Sequence, residues 1–484
     1  DSAVAIKQLI SNFGESYPAN LKPAAVGWAI DSAKNELIGP DEYKLYSHGP
    51  FQNAVAELYP RYQKLLTKNN AMDFADLLML TVELFGNEKI LERYQKQFQY
   101  ILVDEYQDTN HAQYTIIKNL AEKHKNLCVV GDVNQAIYSW RGADYKNILQ
   151  FEKDYPEAQI VRLDQNYRST KSIVEAASKL ISLSKHHLKM DLWTDNVEGE
   201  SISLFEARSE QDEGEYIALK IINETQQSIA NASLDDFAIL YRTNAQSRAL
   251  EETFIKWGIP YRLVGGVKFY ERMEVKDVLA YLRLLQNWND SVAYERAEKL
   301  GKNRLKALEA YSQSIDVHET PTIELLDGVL SCTKYLDKYS KDTEEEVARK
   351  ENVRELRTVA TQFESLGEFL ENVALVQEDF LKDQKSTDVP KPAVTFMTLH
   401  SAKGLEFKTV FLIGLEEGLF PHQRSLNSID ELEEERRLCY VGITRAKHKL
   451  HLTYARNRIF FGTRQMGVAS RFISEIPEHL IEQT

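Results

Sequence analysis

The chain has 484 residues, 43% of them hydrophobic and 27% charged. At roughly 100–200 residues per domain, that length predicts about three domains. With 59 basic and 73 acidic residues, the net charge is −14, which excludes a uniformly basic nucleic-acid binder. It leaves room for a protein that grips single strands by stacking in a local groove. Cys128, Cys332 and Cys439 lie far apart with no CxxC pair, which speaks against a disulfide framework or zinc site and fits a reducing, cytoplasmic setting. No apolar run approaches the ~18–20 residues of a membrane span, so no membrane association is expected.

In chain order, residues 1–70 read as helical, punctuated by Pro18, Pro23, Gly39–Pro40 and Gly49–Pro50. Residues 71–158 alternate helix and strand. QYILVDE and NLCVVGD are apolar runs ending in acids, the pattern of buried parallel strands, with Cys128 as a small core residue. The helical stretch HAQYTIIKNLAEK between them completes a βαβ unit. Residues 159–270 repeat the theme, with IVRLDQN, ISLFEA and FAILYRT as strands. Residues 271–390 are helix-patterned, with DTEEEVARKEN as a solvated helix face and DQKSTDVPKP as a linker. From 391 to 484, VTFMTL, TVFLIGL and KLHLTYA return to strand. The fold class is therefore α/β: two nucleotide-fold lobes, the second interrupted by a helical insertion, with ligands expected at the carboxyl ends of the strands.

Several constellations carry chemistry. Asp104 and Glu105 close an apolar strand in LVDEYQDTN, where one carboxylate can hold Mg²⁺ and its neighbour can polarise an attacking water. The bland alternative is an acidic turn. In GDVNQAIYSWRGA, Gln135 can bond a γ-phosphate or water, Tyr138 and Trp140 offer π-faces, and Arg141 offers a phosphate-binding fork. In LDQNYRST, Tyr167 can stack on a base and Arg168 can neutralise charge on a γ-phosphate, although a surface arginine at a helix start is the plainer reading. MTLHSAKGLEF gathers Thr398, His400, Ser401 and Lys403 as phosphate donors around Gly404, with Glu406 as an acceptor for ribose hydroxyls. EEERRLCYVGITRAKHKL reads as a helix ending near Gly442–Thr444 that presents Arg445, a second candidate for the γ-phosphate.

As a set, in this order and wording, these motifs resemble those of superfamily 1A helicases of the UvrD/PcrA/Rep type. The resemblance extends over MDFADLL, ILYRTNAQSR and VGGVKFYERMEVKD, and so over almost the whole chain. It implies two RecA-like P-loop NTPase lobes with helical inserted domains. Residues 1–70 would be a 1B-like helical domain, 71–158 the second half of 1A, 159–270 and 391–484 the two parts of 2A, and 271–390 a short 2B-like insertion. It implies an ATP-dependent 3′–5′ DNA helicase or single-stranded DNA translocase in repair or replication. The cofactors would be ATP and Mg²⁺. The partners would be single-stranded DNA, duplex/single-strand junctions, and repair or replication proteins.

Carried over by motif, Asp104 and Glu105 would bind the metal and activate water, and Gln135 would sense the γ-phosphate. Arg168 and Arg445 would be arginine fingers. Tyr167 would stack on adenine and Glu406 would bind the ribose. Phe74, Tyr138, Trp140, Arg141, Asn244, Thr398, His400, His422 and Phe461 would contact DNA. One departure from the family pattern is that no GxxxxGK[ST] occurs in the sequence. The expectation drawn from it is an N-terminally truncated chain, its first lobe incomplete, hydrolysing ATP poorly. The alternative is an ATPase-inactive remnant that binds DNA or a partner. A helicase–nuclease subunit is disfavoured for want of a nuclease constellation.

Overall fold

A computed structural model of the protein describes residues 2–11, 21–185, 191–226, 232–339, 343–384, 391–460 and 462–484. Phe461 and most of the linker at 383–392 lie outside them. The chain forms two compact units, Asp1–Val161 and Arg162–Thr484.

The first unit is mostly helical. Pro23–Asn35 and Pro50–Lys68 begin with proline in the first turn, where its missing N–H costs nothing. With Ser2–Ser11 they bury Ile6, Val26, Ile30, Val55, Leu58 and Tyr59 in one core. Lys34 is fully buried beside that core. Its ammonium lies 2.7 Å from both Asp73 and Asp76 and over the faces of Tyr59 and Tyr62. The same two aspartates form a capping box that starts the helix Phe74–Phe85. A buried cation thereby fixes the origin of the helix whose first residue, Phe74, is 89% exposed.

Strands β1 (Ile101–Val103) and β2 (Leu127–Val129) pair in parallel, joined through the helix His111–Ala121. Leu102 and Cys128 are register partners, share one face of this two-stranded sheet, and are exposed. The expectation of buried strands with Cys128 in a core is corrected accordingly: within the described residues no layer packs over that face.

The second unit is built on seven strands: β3 (Ile202–Ala207), β4 (Phe237–Tyr241), β5 (Tyr261–Val264), β6 (Val394–Thr398), β7 (Phe407–Leu412), β8 (Ala446–Ala455) and, after the hairpin β9 (Asn457–Phe460) and β10 (Thr463–Met466), β11 (Ile481–Gln483). Their order is β11-β3-β8-β7-β4-β6-β5, and every pairing is parallel. Every residue of β4, FAILY, is buried, as a parallel strand covered on both faces requires. The helices Glu210–Gln226 and Ser247–Lys256 contribute Ile217, Ile221, Leu250 and Phe254 to a core shared with Phe237, Ile239, Phe396 and Phe411. The helices Lys171–Ser182 and Ile429–Ile443 pack on one another and against β8. The stretch IVRLDQN is extended but not a strand: only Gln165 forms a bridge, to Trp193, and Ile160, Val161 and Leu163 are exposed. Strand propensity without a neighbouring strand gives no ladder.

Between β5 and β6 the chain leaves the sheet for a helical region from Met273 to Gln384, with its own core of Val278, Leu282, Leu325, Leu356 and Phe369. Its helix Glu344–Ala360 contains most of the acidic run read as solvated, yet Glu351, Asn352 and Glu355 are buried. The reason is that each meets a partner. Glu355 accepts from Arg248 at 2.7 Å, Asn352 accepts from Arg272 at 2.7 Å, and Glu351 lies 3.2 Å from the His422 ring.

Replacing Lys34 by methionine leaves Asp73 and Asp76 without their cation, and should destabilise the first unit by about 3–5 kcal/mol in urea unfolding. Burial raises the Asp76 pKa, but hydrogen bonds from Lys34, the Asp73 backbone and Gln63 outweigh it and hold the carboxyl below its ordinary 3.8. This contribution to stability should therefore be present above that pH and be lost as pH falls through the lowered value.

Candidate functional site

Two sets of candidate residues follow strand ends in the first unit. β1 delivers Asp104 and Glu105, both exposed. Glu105 sits at φ +52°, a left-handed conformation costing a non-glycine residue roughly 1–2 kcal/mol. Several bonds hold the turn, among them the Glu105 N–H donating to Asp104 Oδ1, the Tyr106 N–H to the Val130 carbonyl, the Asp108 N–H to the Glu105 carbonyl, and Gln107 Nε2 to Glu105 Oε2 at 2.5 Å. Gln107 is fully buried, and its Oε1 accepts from the Asp132 N–H at 3.0 Å. One amide thus ties the ends of β1 and β2 together. A Cβ at Gly131 would lie 2.5 Å from that oxygen, so the approach requires glycine there. Gln107 was not singled out from sequence: it reads as one more polar residue in DEYQD, and its role shows only in the contact across 25 residues.

Following β2, Gln135 donates to Asp132 Oδ2 at 2.9 Å. Beyond it the Arg141 guanidinium lies 4.5 Å from the Trp140 ring centroid and 5.3 Å from that of Tyr138, within cation–π range. Trp140 is 39% exposed, in a one-turn helix that ends at Gly142, φ +83°. Among the described residues no three metal-ligating side chains converge. Two adjacent exposed carboxylates fit Mg²⁺, which takes one or two carboxylates and completes its shell with phosphate and water oxygens.

In the second unit a cavity of about 900 Å³ is lined by Tyr167, Arg168, Thr170, Asp195, Glu406 and Lys447, among others. Tyr167 is 79% exposed, and its hydroxyl donates to Gln165, which donates in turn to Asp195. Arg168 Nε lies 2.6 Å from Glu406 Oε2, and its NH1 donates to the Thr444 carbonyl at 3.2 Å. Lys447 Nζ lies 2.6 Å from Glu406 Oε1. The bonds from Lys447 and Arg168 hold the Glu406 carboxyl at about 2, well below the ordinary 4.5. Arg445 is only 2% exposed and spends its donors on the Val441 and Leu405 carbonyls and the Thr444 hydroxyl, stitching the helix end to the Gly404–Glu406 turn. Lys447 was not picked out from sequence. Its only signal is the alternation in TRAKHK, which places it on β8 beside Ala446, the register partner of Phe407.

The remaining candidates lie at the other end of the same sheet. Asn244 follows β4, Thr398 ends β6, His400 begins the next turn, and His422 follows β7. Thr398 and Ser401 share a hydroxyl–hydroxyl bond at 3.0 Å. Ser401 lies against Gly265, φ +73°, where a Cβ would come within 2.8 Å of its oxygen. His422 receives no solvent-facing role from its contacts: its N–H donates to Glu435 and its ring faces Glu351. Asp104 and Glu105 thus stand at the carboxyl end of a strand, where the sequence places ligands, whereas Glu406, Arg445 and Lys447 stand at the amino ends of β7 and β8.

The sequence profile of the UvrD/REP helicase N-terminal domain matches residues 1–156, and that of the UvrD-like helicase C-terminal domain matches residues 161–457. The chain is 44% identical over 516 aligned residues to the ATP-dependent DNA helicase PcrA of Bacillus subtilis, covering 96% of this chain and 69% of that one. It is 43% identical to the PcrA of Staphylococcus aureus strain Mu50, covering 94% and 68%. These matches correct the expectation of an N-terminally truncated chain with an incomplete first lobe, and with it the picture of a fragment or inactive remnant. The N-terminal domain is matched from residue 1, and residues 1–161 form a unit with its own core. The absence of one motif does not measure the presence of a domain.

If Lys447 and Arg168 hold Glu406 ionised, replacing both by methionine should return its carboxyl upward toward 4.5. A ¹³C-carboxyl NMR titration should then show an inflection in the variant that the parent lacks above pH 3.

Proposed function

The chain belongs to the UvrD-like DNA helicase family, and on that footing we propose that it is an ATP-dependent 3′–5′ helicase that translocates on single-stranded DNA. The observation that carries this reading is the 44% identity over 96% of the chain to an ATP-dependent DNA helicase, with both family domains matched in order.

Asp104 and Glu105 are the residues that would hold Mg²⁺, which supplies charge neutralisation on the phosphates when bound. Glu105 is proposed to orient the attacking water, and Gln135 to read the γ-phosphate. Gln107 keeps the two turns that carry them in register. Tyr167 offers an exposed ring to the adenine and Glu406 accepts from the ribose. Arg168 supplies the planar cation for charge developing on the γ-phosphate. Arg445 is proposed to act on the nucleotide from its buried position at the base of the Glu406 turn.

For DNA, the Trp140–Arg141–Tyr138 stack and exposed Phe74 supply π-faces for successive bases, which every base can use regardless of identity. Asn244, Thr398 and His400 supply polar contacts at the carboxyl end of the second sheet. Phe461 and His422 are proposed as further contacts. No helix among the described residues is long and apolar enough to cross a membrane.

Unwinding of tailed duplexes tests the whole reading. ATP should drive strand separation on a 3′-tailed duplex and not on a 5′-tailed one. Tailed DNA that is bound but never opened under ATP would overturn it. Arg168→Ala should lower DNA-stimulated hydrolysis by roughly 10³-fold or more while leaving single-strand affinity nearly unchanged. Trp140→Ala should do the reverse, weakening single-strand binding by about 1–3 kcal/mol in a fluorescence titration.

A further inference from the structure

The cavity of the second unit contains three charges that answer one another. Glu406 is shared: Arg168 takes one carboxylate oxygen at 2.6 Å and Lys447 the other at 2.6 Å. The two cations are not held alike. Lys447 belongs to β8, and its own carbonyl accepts from the Thr170 N–H at 3.1 Å. Glu406 directly precedes β7, whose first residue pairs with Ala446. The backbones of Glu406 and Lys447 are therefore fixed to each other through the β7–β8 ladder. Arg168 lies outside the sheet, and its guanidinium is placed by Glu406 and by a single bond to the Thr444 carbonyl.

The exposures add a second distinction. Arg168 is 30% exposed, Glu406 42% and Lys447 34%. Ion pairs so open to water contribute little net free energy and exchange readily with other polar partners. An incoming diol offers two O–H donors to the same carboxylate, and a phosphate offers the guanidinium a bidentate partner of the same kind as the carboxylate it would leave.

We propose that Glu406 is a ribose-operated latch on Arg168, released when the sugar hydroxyls take its carboxylate, and that Lys447 is the positioning residue that keeps Glu406 in place during the exchange. This rests on the nucleotide reading of the cavity given above and adds a regulation to it. With the sugar absent, Arg168 is spent on Glu406 and does not attract stray anions. With the sugar bound, Arg168 is freed for phosphate in the same event, so phosphate engagement is conditional on a nucleoside. Without Lys447, sugar binding would leave the carboxylate with no cation at all, and Glu406 would hold Arg168 more tightly.

The latch makes a prediction of unusual sign, because it treats Arg168 and the ribose as competitors for one carboxylate. Calorimetric titration with ADP and 2′,3′-dideoxy-ADP, neither of which carries a γ-phosphate, reads it directly. The full chain should prefer ADP by about tenfold, the strength of hydrogen bonds to a charged acceptor. Arg168→Met should widen that preference a further two- to fivefold, the range of an exposed ion pair. On a Glu406→Gln background the same change should widen nothing. Lys447→Met should narrow the preference and Lys447→Arg should restore it, a rescue that a merely structural lysine would not show. An Arg168→Met protein that binds both nucleotides with an unaltered preference overturns the latch while leaving the nucleotide reading intact. A parent chain that binds neither nucleotide overturns both.

Discussion

Parallel pairing of seven strands is the constraint on which the second unit depends. A parallel sheet has two chemically distinct ends, because every strand begins on one side and finishes on the other. The loops after β4, β6 and β7 consequently gather Asn244, Thr398, His400 and His422 on one side, though they come from positions up to 178 residues apart in order along the chain. The starts of β7 and β8 gather Glu406, Arg445 and Lys447 on the opposite side. One ladder thereby keeps the proposed polynucleotide contacts and the proposed nucleotide contacts apart, and any shift in register would disturb both.

The joint between the sheet and the helical region combines apolar packing by Ile255 and Tyr261 with buried charges. Arg248, on the helix Ser247–Lys256, lies 2.7 Å from Glu355 of the helical region, and the His422 ring lies 3.2 Å from Glu351 of the same helix as Glu355, with all of these side chains buried or nearly so. Desolvating such charges is costly, and an apolar joint of the same volume would often be as stable. What charge pairs add is directionality: a guanidinium fork accepts few arrangements of carboxylates, whereas apolar surfaces slide. Tyr270 and Arg272, at the start of the helical region, join the same joint through Glu252 and Asn352. The route by which the chain leaves the sheet is therefore fixed by hydrogen bonds of defined geometry.

Much of the local structure was legible. FAILY, VTFMT and the run ending at Ala455 are strands because continuous apolar runs of that length suit a covered parallel sheet, and TKSIVEAASKLISL is a helix because its apolar residues recur with helical period. Other features were not. Leu102, Cys128, Ile160 and Val161 have the composition of core strands and lie exposed, because burial needs a covering layer that composition does not reveal. The run DTEEEVARKEN has the composition of a solvated face, because the partners that bury its end, Arg272 for Asn352 and His422 for Glu351, lie 80 and 71 residues away. A missing phosphate-binding signature is a short local string, whereas the match to the N-terminal helicase domain extends over residues 1–156.

By itself, then, the sequence determined the residue types, their order and the family, since motifs such as LDQNYRST and TLHSAKGLEF are local strings whose chemistry is carried in a few neighbouring side chains. Only the tertiary structure decided how each charge is spent. Arg445 looks like a presented cation and is buried on backbone carbonyls, whereas Arg168 looks like a surface arginine and is held by a carboxylate 238 positions away. The physical reason is that an ion pair forms between whatever charges the fold brings within about 4 Å, and that distance is set by sheet order and register, not by separation along the chain.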